Sequence, residues 1–169
     1  FAKRKPAVVN RTFGRLSIIS SVWLALTHGA NDGQKTMGII VLILFSADLI
    51  SEIHMPLWVI LAAASAMGLG TFFGGYKVIK TLGLKITRLK PYQGFAAQTG
   101  GGLMLAIFAI LGIPASTTHA ITGSVMGAGA ARRKRAVRWK VSRQIIFSWV
   151  ITIPGAAGLA IAFTYIIHL

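Results

Sequence analysis

Long apolar runs alternate with short polar interruptions along this chain, and the run lengths predict helices. Residues 57 to 76 are apolar without a break; about 20 residues at ~1.5 Å each cover the ~30 Å hydrocarbon core of a bilayer. Residues 144 to 167 form a second run of this kind. Residues 16 to 50 are interrupted by "HGANDGQK", which predicts a discontinuous helix. In the segment 92 to 131 an arm "YQGFAAQTGGGLMLAIFAILG" is followed by "IPASTTH" and by a second arm, "AITGSVMGAGAA". The second arm is too short for a ~30 Å crossing, so a re-entrant helical hairpin is predicted. The expected fold is an all-α membrane protein with two full transmembrane helices, one discontinuous helix and one re-entrant hairpin. Residues 1–15 are expected to be a basic cytoplasmic segment and residues 16–169 a single transmembrane unit.

Charge orients these elements. The chain is 54% hydrophobic with a mean hydropathy of +0.70, yet its formal charge is +15. Such a charge would suit nucleic acid, but a soluble body able to carry a basic face needs more polar surface than this chain has. The cations fall in three clusters: Lys3 to Arg15, Lys77 to Lys90, and "RRKRAVRWKVSR" from Arg132 to Arg143; only Lys35 lies elsewhere. Lysines and arginines mark cytoplasmic loops, so all three clusters are expected inside a cell (inner) membrane. The loop "SEIHMP" and the C-terminus are then outside, with Asp48 and Glu52 in water. The zero cysteine count excludes disulfides and thiolate metal sites. The chain starts at Phe1 and is expected to be a piece of a longer, mature protein.

The interruptions carry the chemistry. Irregular backbone at membrane depth is tolerated where it is buried in protein or lines a wet cavity, and secondary transporters build substrate sites this way. Pro114 ends the first hairpin arm, because the residue before a proline avoids helical angles. Ser116, Thr117 and Thr118 then stand at the N-terminus of the second arm. Free amides and the positive dipole end bind anions there, and three hydroxyls can donate to a tetrahedral oxyanion without adding fixed charge. A plain helix cap is the competing reading of these three residues. In the other interruption, Gly29 and Gly33 bracket Asn31 and Asp32. A carboxylate in the membrane interior costs roughly 2.5–3.5 kcal/mol, so it is usually functional. Asp32 can hold a cation, exchange a proton or pair with Lys35; capping the following helix is the simpler alternative. His28, His119 and Gln98 are secondary candidates, His119 equally readable as an interior histidine.

With "GAND" at 29–32 and "PASTTHAITGS" at 114–124, the chain resembles the inorganic phosphate transporter family, in particular the C-terminal half of a bacterial low-affinity member. The resemblance runs from about Arg15 to the end. It implies one repeat of an inverted-repeat transporter, whose phosphate site lies between this repeat and a missing one, and import of inorganic phosphate driven by a cation gradient. It further implies that Ser116, Thr117 and Thr118 contact phosphate and that Asn31 and Asp32 lie at the ion site. Sodium-coupled relatives carry Asn three residues after the Asp, where this chain has Lys35. An ammonium there could neutralise Asp32, which favours proton coupling, or transport of a neutral metal–phosphate complex, over sodium symport.

The expected partners are therefore inorganic phosphate, a coupling cation (a proton before sodium), the lipid bilayer, the other repeat and a homodimer mate, with no nucleic acid. No cofactor, resident metal or catalytic residue is expected. Two alternatives stay open: a permease for sulfate or another oxyanion, and a membrane-embedded hydrolase with a metal on His28, Asp32 and His119. Against the hydrolase, the chain has no helical histidine pair at metal-ligand spacing and no nucleophile beside a base.

Overall fold

A computed structural model describes residues 6–167. Five helices follow one another: α1 (Pro6–Ser46), α2 (Leu57–Lys80), α3 (Pro91–Ile110), α4 (Thr117–Ala130) and α5 (Trp139–Ile167). A π-helical turn, Thr81–Ile86, continues α2, and a 3₁₀ turn, Lys134–Ala136, precedes α5. α3 packs mainly on α1 and, in the hairpin, on α4.

The expected break in residues 16–50 is not there: α1 is one helix of 41 residues running through the whole GAND segment. Its start at Pro6 also places most of the expected basic segment 1–15 in the helix, while residues 1–5 lie outside the described part. The reason is that polar side chains in and beside the interruption find partners with the helix intact. Thr27 Oγ1 donates to the carbonyls of Trp23 and Leu24, Asn31 Nδ2 donates to Thr27 O at 2.9 Å, and Thr36 Oγ1 donates to Asp32 O at 3.0 Å. Such bonds to the preceding turn leave the backbone ladder in place. Glycine inside a helix costs only about 1 kcal/mol, which packing against α3 can offset.

The hairpin does break. Gly112 adopts φ +66°, Ile113 N donates to Phe108 O at 2.9 Å and Gly112 N donates to Ala109 O at 3.2 Å. These two bonds around a left-handed residue form the Schellman ending of a helix, so α3 ends at Ile110 and the chain turns at Gly112, ahead of the proline expected to stop it. A Cβ at this angle is disfavoured by about 1–2 kcal/mol. Gly112→Ala is therefore expected to lower stability by that amount, read as a reduced midpoint in thermal unfolding of the detergent-solubilised protein. α4 then starts at Thr117 with Ser116 as its cap, and its 14 residues rise about 21 Å, short of a full span.

The other helices overrun their expected limits. The helix expected at 57–76 reaches Lys80, and the one expected at 144–167 begins at Trp139 with the last of the third basic cluster. Ile86, Ala97, Val125 and Val137 make a small buried core where the π turn, α3, α4 and the loop before α5 meet. At the middle of α3 the backbones come close: a Cβ on Gly102 would stand 2.5 Å from the Trp23 ring of α1. The rest of the surface is largely apolar and open. The chain exposes 12310 Å² at a mass of 18.0 kDa, where a compact soluble chain of this mass exposes about 8,000 Å². Phe72 and Phe73 of α2 and residues 153–167 of α5 are all exposed. Surface of this kind is suited to lipid or to a further protein body.

Candidate functional site

The two sequence motifs meet near the middle of α1. The continuous helix puts residues three and four apart on one face, so His28, Asp32 and Lys35 line up there. His28 Nε2 lies 3.2 Å from Asp32 Oδ2, and Lys35 Nζ lies 3.4 Å from Asp32 Oδ1. Across the gap, Thr117 Oγ1 at the first residue of α4 donates to Asp32 Oδ2 at 2.8 Å. One carboxylate thus holds donors from its own helix and from the hairpin. Lys35 Nζ also donates to Ala115 O in the hairpin tip, so the lysine both neutralises Asp32 and pins the tip to α1.

Asn31 is buried and has a different task. Its Nδ2 donates to Thr27 O and, at 3.1 Å, to Leu105 O of α3. It ties α1 to α3, and its carbonyl oxygen makes no hydrogen bond among the described residues. A cavity of about 210 Å³ opens beside it, lined by Asn31, Gln34 and Lys35 from α1 and by Ala109, Gly112, Ile113 and Pro114 from the hairpin. Gln34 and the Ala115 and Leu105 carbonyls were missed by reasoning on the sequence. The signal that could have found Gln34 is the helical spacing of residues 27 to 35, which sets Asn31, Gln34 and Lys35 on adjoining positions once no break is assumed.

Of the three candidate anion donors, Thr117 is buried, while Ser116 and Thr118 are exposed. Ser116 Oγ accepts from His119 N at 3.3 Å, so the cap reading is realised. A capping hydroxyl of this kind keeps an O–H to donate outward, and the first amides of a helix have no partner within it. His119 does not join the Asp32 cluster: its ring meets Trp149 of α5 edge-on, with centroids 3.8 Å apart. Gln98 is also elsewhere. Its Oε1 accepts from Ser20 Oγ at 2.6 Å, twelve residues and about 18 Å down α1 from Asp32. The trio His28, Asp32 and His119 needed for the hydrolase reading is therefore not assembled, and no group of three or more His, Cys, Asp or Glu side chains able to hold a metal occurs among the described residues.

Three of the described helical stretches, Leu57–Ile86, Pro91–Ile110 and Trp139–Ile167, are long and apolar enough to cross a membrane. With a charged cluster enclosed between a long helix and a hairpin tip, these define a multi-pass helical membrane protein. The particular family follows from its relatives: the profile described as "Phosphate transporter family" matches residues 2–160, and the chain belongs to that family. It is 49% identical over 158 residues to a "Probable low-affinity inorganic phosphate transporter" of Rhizobium meliloti (strain 1021), covering 93% of this chain and 47% of the relative. A protein of the same description from Bacillus subtilis (strain 168) is 39% identical over 164 residues, covering 96% of this chain and 49% of the relative. Among solved structures, "The sodium-dependent phosphate transporter" matches with a TM-score of 0.77 and 32% identity, over 90% of this chain and 39% of that one. The chain thus spans about half the length of the curated relatives it matches.

Proposed function

We propose that this chain supplies one half of a secondary transporter for inorganic phosphate. The other half, an inverted repeat, completes the site and covers part of the open apolar surface. The observation that carries this reading is the 2.8 Å hydrogen bond between Thr117 and Asp32, which joins the oxyanion-type helix terminus to the carboxylate that would respond to a coupling ion. Ser116, Thr117 and Thr118 contact phosphate, Thr117 through its backbone amide because its hydroxyl proton goes to Asp32, and Asn31 and Asp32 couple the ion. With Lys35 occupying the neighbourhood of Asp32, a bound sodium has no need to neutralise the carboxylate, and a proton drives uptake. A neutral metal–phosphate complex would suit the same balanced charge. The relative named as sodium-dependent makes the coupling ion the point to test.

Radiolabelled phosphate uptake into proteoliposomes of the full-length protein, under imposed proton or sodium gradients and with excess unlabelled sulfate, checks this. Uptake driven by the proton gradient and insensitive to sulfate is expected. Uptake driven only by sodium would refute the role given to Lys35, and suppression by sulfate would make the substrate oxyanions in general.

A further inference from the structure

The cations at one end of the molecule have no acidic partners. Both ion pairs among the described residues are made by Asp32, while Asp48 and Glu52 follow the far end of α1. Arg11 and Arg15 of the first cluster meet the second and third clusters at the opposite end. There the Phe13 ring stands 5.6 Å from that of Phe95 and 6.4 Å from that of Tyr92, just beyond Lys90. Ser17 Oγ donates to Pro91 O at 3.3 Å, and Arg138 N donates to Ile86 O at 2.8 Å.

Cations gathered in loops on one side of a membrane account for charge in general, but not for Arg11 and Arg15. These two are carried on α1 itself, one turn apart on the same face, where like charges disfavour the helix. Neither guanidinium makes a hydrogen bond or ion pair within the described residues. With Val8, Thr12 and Leu16 they form one open face of α1, along which lies a shallow hollow of about 580 Å³. The Thr12 hydroxyl is turned to Val8 O at 3.0 Å, so the two guanidiniums are the donors available to an occupant, beside apolar Val8 and Leu16.

We propose that this hollow seats the phosphodiester headgroup of an anionic phospholipid from the adjoining leaflet. Guanidinium forks pair with phosphate oxygens in two parallel hydrogen bonds. Leu16, on the bilayer side of Arg15, lies against the first methylenes of the acyl chains. A lipid fits better than a soluble anion because it satisfies both kinds of wall at once. The exposed apolar faces of α2 and α5 continue from the same basic end, so hydrocarbon is already the neighbour there. Basic pockets at the ends of membrane helices recognise anionic headgroups for the same reason. The bound phosphate also relieves the repulsion between Arg11 and Arg15.

The test titrates the full-length protein in neutral detergent with phosphatidylglycerol and with phosphatidylcholine, following bound lipid by native mass spectrometry. The parent is expected to retain phosphatidylglycerol preferentially. The pair Arg11→Gln/Arg15→Gln removes about 1 kcal/mol per cation, which weakens that binding about thirtyfold. Arg11→Lys/Arg15→Lys, which keeps the charge and loses the fork, is expected to fall between the two. Arg133→Gln/Arg135→Gln, a charge-matched control at the same end, is expected to leave binding unchanged. Equal losses in the control and the glutamine pair, or lysine variants equal to the parent, would make the attraction a diffuse field and overturn the seat. Displacement of phosphatidylglycerol by millimolar inorganic phosphate would overturn the lipid as occupant in favour of a soluble anion.

Discussion

Asp32→Asn in the full-length protein is expected to lower phosphate uptake about 100-fold while leaving the protein folded in the membrane. Asp32 is the one carboxylate among the described residues that lies within the helical body, since Asp48 and Glu52 follow the end of α1. Its oxygens meet Thr117, His28 and Lys35. The amide keeps the size of the carboxylate and can still accept from Thr117, so the hairpin stays docked. What it loses is the negative charge, and the Lys35 ammonium is then uncompensated. An unpaired charge in the membrane interior costs roughly 2.5–3.5 kcal/mol, equivalent to about two powers of ten in an equilibrium. Uptake in proteoliposomes, normalised to protein recovered in the membrane, measures this. An Asp32→Asn protein retaining a third of the parental rate would show that the charge is not used.

The second large effect concerns Lys35, whose ammonium bridges Asp32 and the Ala115 carbonyl. Lys35→Met is expected to impair proton-driven uptake about as severely as Asp32→Asn, because it leaves the carboxylate unpaired and frees the hairpin tip. The double variant, with both charges gone, is expected to be no worse than either single one. Non-additivity of this kind identifies two residues acting as one unit. Lys35→Asn distinguishes charge from coupling, since it opens a place beside Asp32 for a small cation. Uptake in that variant is expected to gain a dependence on a sodium gradient. If the two single losses simply add, or if sodium has no effect on Lys35→Asn, the lysine serves stability alone and the coupling scheme fails.

Both effects show what kind of information each level of description carried. Run lengths were sufficient for the helices at Leu57–Lys80 and Trp139–Ile167 and for the two arms of the hairpin, because a hydrocarbon slab imposes a length on any apolar segment that crosses it. The Ser116 cap was legible too, since hydroxyl residues just before a helix satisfy amides that have no other partner. The polar run at 27–35 was misread as a break. Glycine and polar residues weaken a helix locally, and nothing local reveals that Thr27 and Asn31 have backbone acceptors one turn back, or that Asn31, Asp32 and Lys35 find partners on α3, on α4 and at the hairpin tip. The positions of Gln98 and His119 were undecided for the same reason: Ser20 and Trp149, which hold them, are distant in sequence.

By itself, then, the sequence determined the helical membrane class, the gathering of cations at one end and the identity of the two motifs, since composition and periodicity are properties of the chain alone. Only the tertiary structure decided that α1 runs unbroken, that Asp32 is shared between His28, Lys35 and Thr117, and that Lys35 reaches the hairpin tip. Those facts depend on contacts about 80 residues apart along the chain, and such contacts form where helix packing lets a half-buried charge and its donors satisfy one another.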